Sequence, residues 1–362
     1  MLLCLSAHAE DLDIARQAGF DGLAGFAAED GFDAWGTLKD LLTGEAGTPG
    51  QVMRKLWDDT REQLTGTFAA LLKQLVLPVA LCAGLRVLLG RNPAALGMSN
   101  LLCALACAVA LTGEAASLRA VAEAFLDRLD GAAQVMAPVM VSVSTLTGAT
   151  ATASILTPLA AECVSLIDLV LRGAGMRLCA AACAVAVAGS LSARFTLYRL
   201  FSFIKSAVKW LLTLSMFLFG GLMSVDGLMG AARDSAAIQT ARLALENLVP
   251  VVGGDISGAA GSLAASAGAA RQAVGLTGVL YVAHVCIKPM LTLAAGTLAT
   301  KVIAAVLEPL APDVPTVTMI GQFGEVCELL LAICACAAAV TALLLGGVMA
   351  FEIGRASCRE RV

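Results

Sequence analysis

At 362 residues, 59% hydrophobic and only 14% charged, the chain departs from the soluble norm of about 45–50% apolar and about 25% charged residues. A mean hydropathy of +0.84, laid out in runs near bilayer length, excludes a single water-soluble domain with an enlarged core. The formal net charge of −4 comes with no basic patch, which argues against nucleic acid as a partner and leaves an all-α, polytopic helical membrane protein.

Residues 1–9, MLLCLSAHA, read as the tail of a signal peptide, a short apolar run ending in the A-x-A pattern Ala7-His8-Ala9. Residues 10–64 read as a short, acidic exported segment. Positions 10–60 hold eleven acids and four bases (4 − 11 = −7), and their weak helical patterning predicts poor order before an amphipathic approach helix near 52–64. The multi-pass membrane domain covers 65–351. Its apolar runs lie at about 66–85, 96–112, 132–150, 155–171, 176–193, 210–227, 275–298 and 327–351, which predicts seven or eight transmembrane helices. Residues 114–130, with four acids against two bases, predict an amphipathic external stretch between two of these spans. Residues 301–310 predict a separate shorter helix ended by Pro309 and Pro312. Abundant Ala and Gly predict close helix–helix approach.

The acid-free basic segments, Arg86 with Arg91 and the four bases from Arg194 to Lys209, predict cytoplasmic loops and place the acidic N-terminal region outside. LCALACAVA at 102–110 and LCAAACAVA at 178–186 differ at one position in nine, but nothing flanking them aligns, so low complexity explains the match better than a repeat. Residues 352–362, EIGRASCRERV, break abruptly from what precedes them and read as an adapter-derived, non-native tail.

Reactive chemistry is sparse. Most of the twelve cysteines lie inside apolar runs, where thiols behave as small hydrophobes, and the CxC at 334–336 and the CxxxC pairs have no nearby His to build a zinc site. The histidines are His8 and His284, the latter inside a span, where a hydrogen-bonded packing role is the plainer reading. No GxxxxGK[ST] motif is present, so the chain does not itself use ATP. No catalytic, cofactor-binding or metal-ligating residue is expected, and the chain is read as a non-enzyme.

Ionisable residues within spans are costly and are paired or functional. The candidates are Lys288, Glu162 and Asp168, together with Lys73, Glu325 and Glu328. Asp168 has Arg172 four residues on, within pairing reach on one face. Glu325 and Glu328 share a face near the start of the last run, a place favoured by the positive end of a helix dipole. For each, interfacial placement or structural pairing is weighed against an ion path.

The long polar interval 230–273 holds the most distinctive stretch, TARLALENLVPVVGG at 240–254. Ile238, Ala241, Leu245 and Leu248 form one stripe of an amphipathic helix, with Arg242 and Glu246 among the polar positions. Pro250 and Gly253-Gly254 then break it. Gly258, Gly261 and Gly268, among alanines, make a following helix almost without side-chain bulk, suited to tight partner contact or re-entry into protein-surrounded membrane. Arg242, Glu246, Pro250, Gly253, Gly254, Gly258 and Gly261 are the candidate interaction or pore surface.

Together with FSFIKSAVKWLLTLSMFLFGGLMSVDG at 201–227 and AVGLTGVLYVAHVCIKPMLTLAAGTLATKVIAAVLEPL at 273–310, that stretch resembles the stage III sporulation protein AE family of spore-forming bacteria. The resemblance implies a multi-pass protein of the mother-cell membrane around the forespore. It further implies partners from the same sporulation operon, including a secretion-type ATPase and a ring-forming membrane protein, in an apparatus joining the two cells. It carries over no catalytic residue. The alternatives are a stand-alone secondary transporter with an intramembrane ionisable site near Lys288 or Glu162, and a structural anchor without any conduit.

Overall fold

The computed structural model describes residues 15–43, 93–146, 165–191, 197–221, 253–308 and 315–359, with single helical positions at 69, 80, 84, 158, 161 and 162. Every regular element among the described residues is helical. Helix α1 spans Phe20–Glu29, α2 Ala34–Thr43 and α3 Pro93–Leu146. A π-helical segment, Leu166–Gly175, runs directly into α4, Met176–Leu191. Then come α5 at Tyr198–Gly221, α6 at Gly253–Leu307 and α7 at Pro315–Arg359.

Within the acidic N-terminal segment, residues 15–43 form helices where weak periodicity predicts poor order. The α1–α2 hairpin is built by local signals. Gly31, at φ 77°, ends α1: the Phe32 N–H donates to Ala27 O and the Gly31 N–H to Ala28 O, the paired bonds of a Schellman cap. Two residues on, Asp33 caps α2, its Oδ1 accepting from the Gly36 N–H at 2.8 Å. The hairpin then buries Phe20, Leu23, Ala27 and Leu38 against α3 and α6.

Among the described residues five helices are long and apolar enough to cross a bilayer: Leu101–Leu146, Leu169–Ser190, Tyr198–Gly221, Gln272–Leu307 and Thr316–Leu345. The expected seven or eight spans are therefore not reached among the described residues, and the run at 66–85 lies outside them but for positions 69, 80 and 84. Part of the difference is a correction. The run 96–112 and residues 132–146 of the next run belong to one 54-residue helix, so 114–130 is the middle of α3 and not a stretch joining two separate spans. No proline interrupts that middle; Pro138 comes later and is carried within the helix. At 1.5 Å per residue α3 is about 80 Å long, far beyond the roughly 30 Å hydrocarbon core. Likewise 301–307 continues α6, and the basic-aromatic lead-in from Tyr198 is already α5.

Small residues set the packing. Gly278 of α6 faces Met136 of α3, and Gly296 faces Leu118, so α3 and α6 run antiparallel in steady register. Gly324 of α7 meets Thr300 of α6, and Gly175 meets Ile333 of α7. Such positions let backbones close up where a side chain would hold them apart. Buried Thr277, Thr297, Thr300 and Thr341 return their hydroxyls to carbonyls of the preceding turn, which satisfies them within an apolar interior.

Candidate functional site

Asp30, at the end of α1, is the hub that fastens the hairpin to the long helices. Its carboxylate accepts from the Tyr281 hydroxyl at 2.6 Å and lies 3.5 Å from Arg128 Nε. Arg128 also reaches Glu29 at 3.2 Å and sits over the Phe26 ring. The Asp30 carbonyl oxygen lies 3.1 Å from His284 Nε2. A carbonyl can only accept, so Nε2 carries the proton. Phe26 and Phe32 pack against Tyr281, and Phe32 also against His284. His284 is thus a hydrogen-bonded packing residue, with its Nδ1 buried and unpartnered among the described residues.

Of the ionisable residues expected within spans, Glu325 and Glu328 are placed in pairs. Glu325 meets Lys205 of α5 at 3.0 Å, and Glu328 meets Lys301 of α6 at 2.9 Å. The dipole reading of these two acids needs correction: α7 begins at Pro315, so both lie beyond the first turn, where the favourable end effect fades. Their neighbours' lysines hold them instead. Arg172 pairs with Asp127 of α3. The side chain of Asp168 lies outside the described residues. Lys288 and Glu162 are exposed, on different elements, and do not converge on a shared site.

A cavity of about 300 Å³ opens where α3, α4 and α7 meet. Ala115 and Ala116 of α3, Ala180 and Ala184 of α4 and Val326 and Leu330 of α7 give it apolar walls. Cys179, Cys183 and Cys327 also face it, and Arg119 stands at its polar edge. Sequence reasoning missed this place. Its signals were the alanines and cysteines spaced three and four apart on α4, which leave room that leucines would fill. Among the described residues no three His, Cys, Asp or Glu side chains converge to hold a metal ion.

Of the interaction surface expected at 230–273, Arg242, Glu246 and Pro250 lie outside the described residues. Gly253, Gly254, Gly258 and Gly261 open α6, so the break expected there coincides with a helix start. From Gly253 on, the interval is a helical extension of the span that follows.

No curated protein and no solved structure matches the chain. The family model for stage III sporulation protein AE matches residues 32–351, from the capped α1–α2 turn to the far part of α7. The chain belongs to the stage III sporulation protein AE family.

Proposed function

We propose that this protein is a non-enzymatic membrane component of the secretion or transport apparatus that joins mother cell and forespore during endospore formation. It resides in the mother-cell membrane around the forespore. It works with other products of the same operon, including a secretion-type ATPase and a ring-forming membrane protein. The observation that carries this reading is the family match across 32–351, which ties a stage III sporulation family to five long apolar helices. The pairing of Glu325 and Glu328 with lysines of neighbouring helices adds support, since paired charges suit a scaffold better than an ion path.

Within this reading, the surface that meets partner proteins is 230–273, ending in the bulk-free start of α6. Replacing Gly253 and Gly254 by Val tests it: spore yield falls while the protein accumulates normally, whereas unchanged yield at normal protein levels rejects the surface. The role itself is tested by reconstituting the chain alone in liposomes. No ion- or pH-driven solute flux is expected, and robust flux would favour a stand-alone transporter.

A further inference from the structure

We propose that the cavity between α3, α4 and α7 is a binding site for an anionic phospholipid, one acyl chain entering the cavity and the phosphate resting on the Arg119 guanidinium. This stands apart from the secretory role. Three observations carry it.

The first is size and lining. An apolar protein cavity of about 150 Å³ stays dry and takes benzene. This one holds about 300 Å³ between alanines, Val326, Leu330 and thiols, and is open to the surface. All three of its helices are long and apolar enough to span a membrane, which makes acyl chain the medium expected around them.

The second is level. Val326 and Cys327 of the cavity wall are flanked on α7 by Glu325 and Glu328. Those acids pair with Lys205 of α5 and Lys301 of α6. A belt of charge around otherwise apolar helices belongs at the headgroup boundary, where ionisable side chains reach water. Leu105 and Val109 are exposed on the turns of α3 just before the cavity and give the lipid a surface to approach along.

The third is charge. Glu123 takes the Arg119 Nε at 2.8 Å, and the two terminal nitrogens of Arg119 make no hydrogen bond among the described residues. A guanidinium with both terminal nitrogens available suits a phosphate diester, which accepts from two donors at once.

The test uses the full chain in phosphatidylcholine nanodiscs doped with phosphatidylglycerol that carries a diazirine at one chain end. After irradiation, label is expected on peptides holding 179–184 and 323–330, about five-fold above the exposed face of α5, as one basic residue near an anionic headgroup would give. Arg119→Gln is expected to bring labelling down to that of a diazirine phosphatidylcholine, Arg119→Lys to fall between the two because it keeps the charge and loses the two-donor contact, and Ala184→Leu to lower both. Uniform labelling along all exposed apolar faces, or an Arg119→Gln chain that still prefers phosphatidylglycerol, overturns the proposal. The unsubstituted chain gives a second readout. Stripping its lipid with detergent should raise membrane-permeant maleimide labelling of Cys183 several-fold, and phosphatidylglycerol, unlike phosphatidylcholine, should reverse it. Cys183 labelling that ignores lipid also overturns it.

Discussion

Helices α5 and α7 are both long and apolar enough to span a bilayer, yet they sit in opposite environments. In its most apolar stretch α7 is 56% buried, while α5 is 22% buried. They differ in how much of their surface other helices cover. Facing its neighbours, α7 buries the small Cys334 and Ala337 beside Phe323, Ile333 and Leu344, in contact with α6, α3 and α4. On its outward face α5 carries Phe203, Trp210, Phe217 and Leu218, all more than half exposed. Lipid is as apolar as leucine, so hydrophobicity alone does not drive helices together in a membrane; packing of small residues does. The lesson is that hydropathy identifies both as spans, and close contact with other helices marks which one becomes the core.

Substitutions that disturb such contact should break this contrast. Ala337 is fully buried at the centre of α7, so Ala337→Leu overpacks it and should cost about 1–3 kcal/mol. A lowered thermal midpoint in mild detergent would register that cost, and an unchanged midpoint would mean α7 is not the core. Next in size is Tyr281→Phe. It removes the hydroxyl that donates to the Asp30 carboxylate, a loss of about 1.5 kcal/mol for a bond to a charged acceptor. Proteolytic cleavage around 30–34 should quicken, since the hairpin loses its anchor; unaltered cleavage would show the hairpin held by apolar contact alone.

Smaller effects sharpen the contrast. Double-mutant cycles on Lys301 with Glu328 should give a coupling of about 0.5 kcal/mol, because both side chains are roughly half exposed. Lys205 with Glu325 is less exposed and should couple more strongly. A coupling near zero at both would remove the charged belt as a structural feature. Smallest of all, Phe217→Ala on the outer face of α5 should stay within about 0.5 kcal/mol, since the ring is 76% exposed. A large loss there would reveal a protein partner in place of lipid.

How much of this was legible in the sequence depends on range. The all-helical membrane class and the helix start at Gly253 follow from composition and from local breakers, whereas the last helix, read from about 327, in fact begins at Pro315. The α1–α2 hairpin was legible in principle, since Gly31 and Asp33 are ordinary cap residues at the right spacing. Weak hydrophobic periodicity hid it, because ten-residue helices offer too few turns to show a stripe. Its docking was not legible. Asp30 and Tyr281 lie 251 residues apart, and no local pattern announces their bond. The continuity of α3 was misread because its charged middle resembles a loop. Those charges instead serve the packed hairpin through Arg128, and Arg172 through Asp127. The cavity escaped notice because alanine and cysteine look like filler until three helices place them together.

The proposed role is tested most directly by affinity purification of the full-length chain from sporulating cells, solubilised in mild detergent. The expected result is co-purification of the proposed partners, a secretion-type ATPase and a ring-forming membrane protein, reduced when Gly253 and Gly254 are replaced by Val. Recovery of the chain alone, at normal abundance and folded, would contradict it.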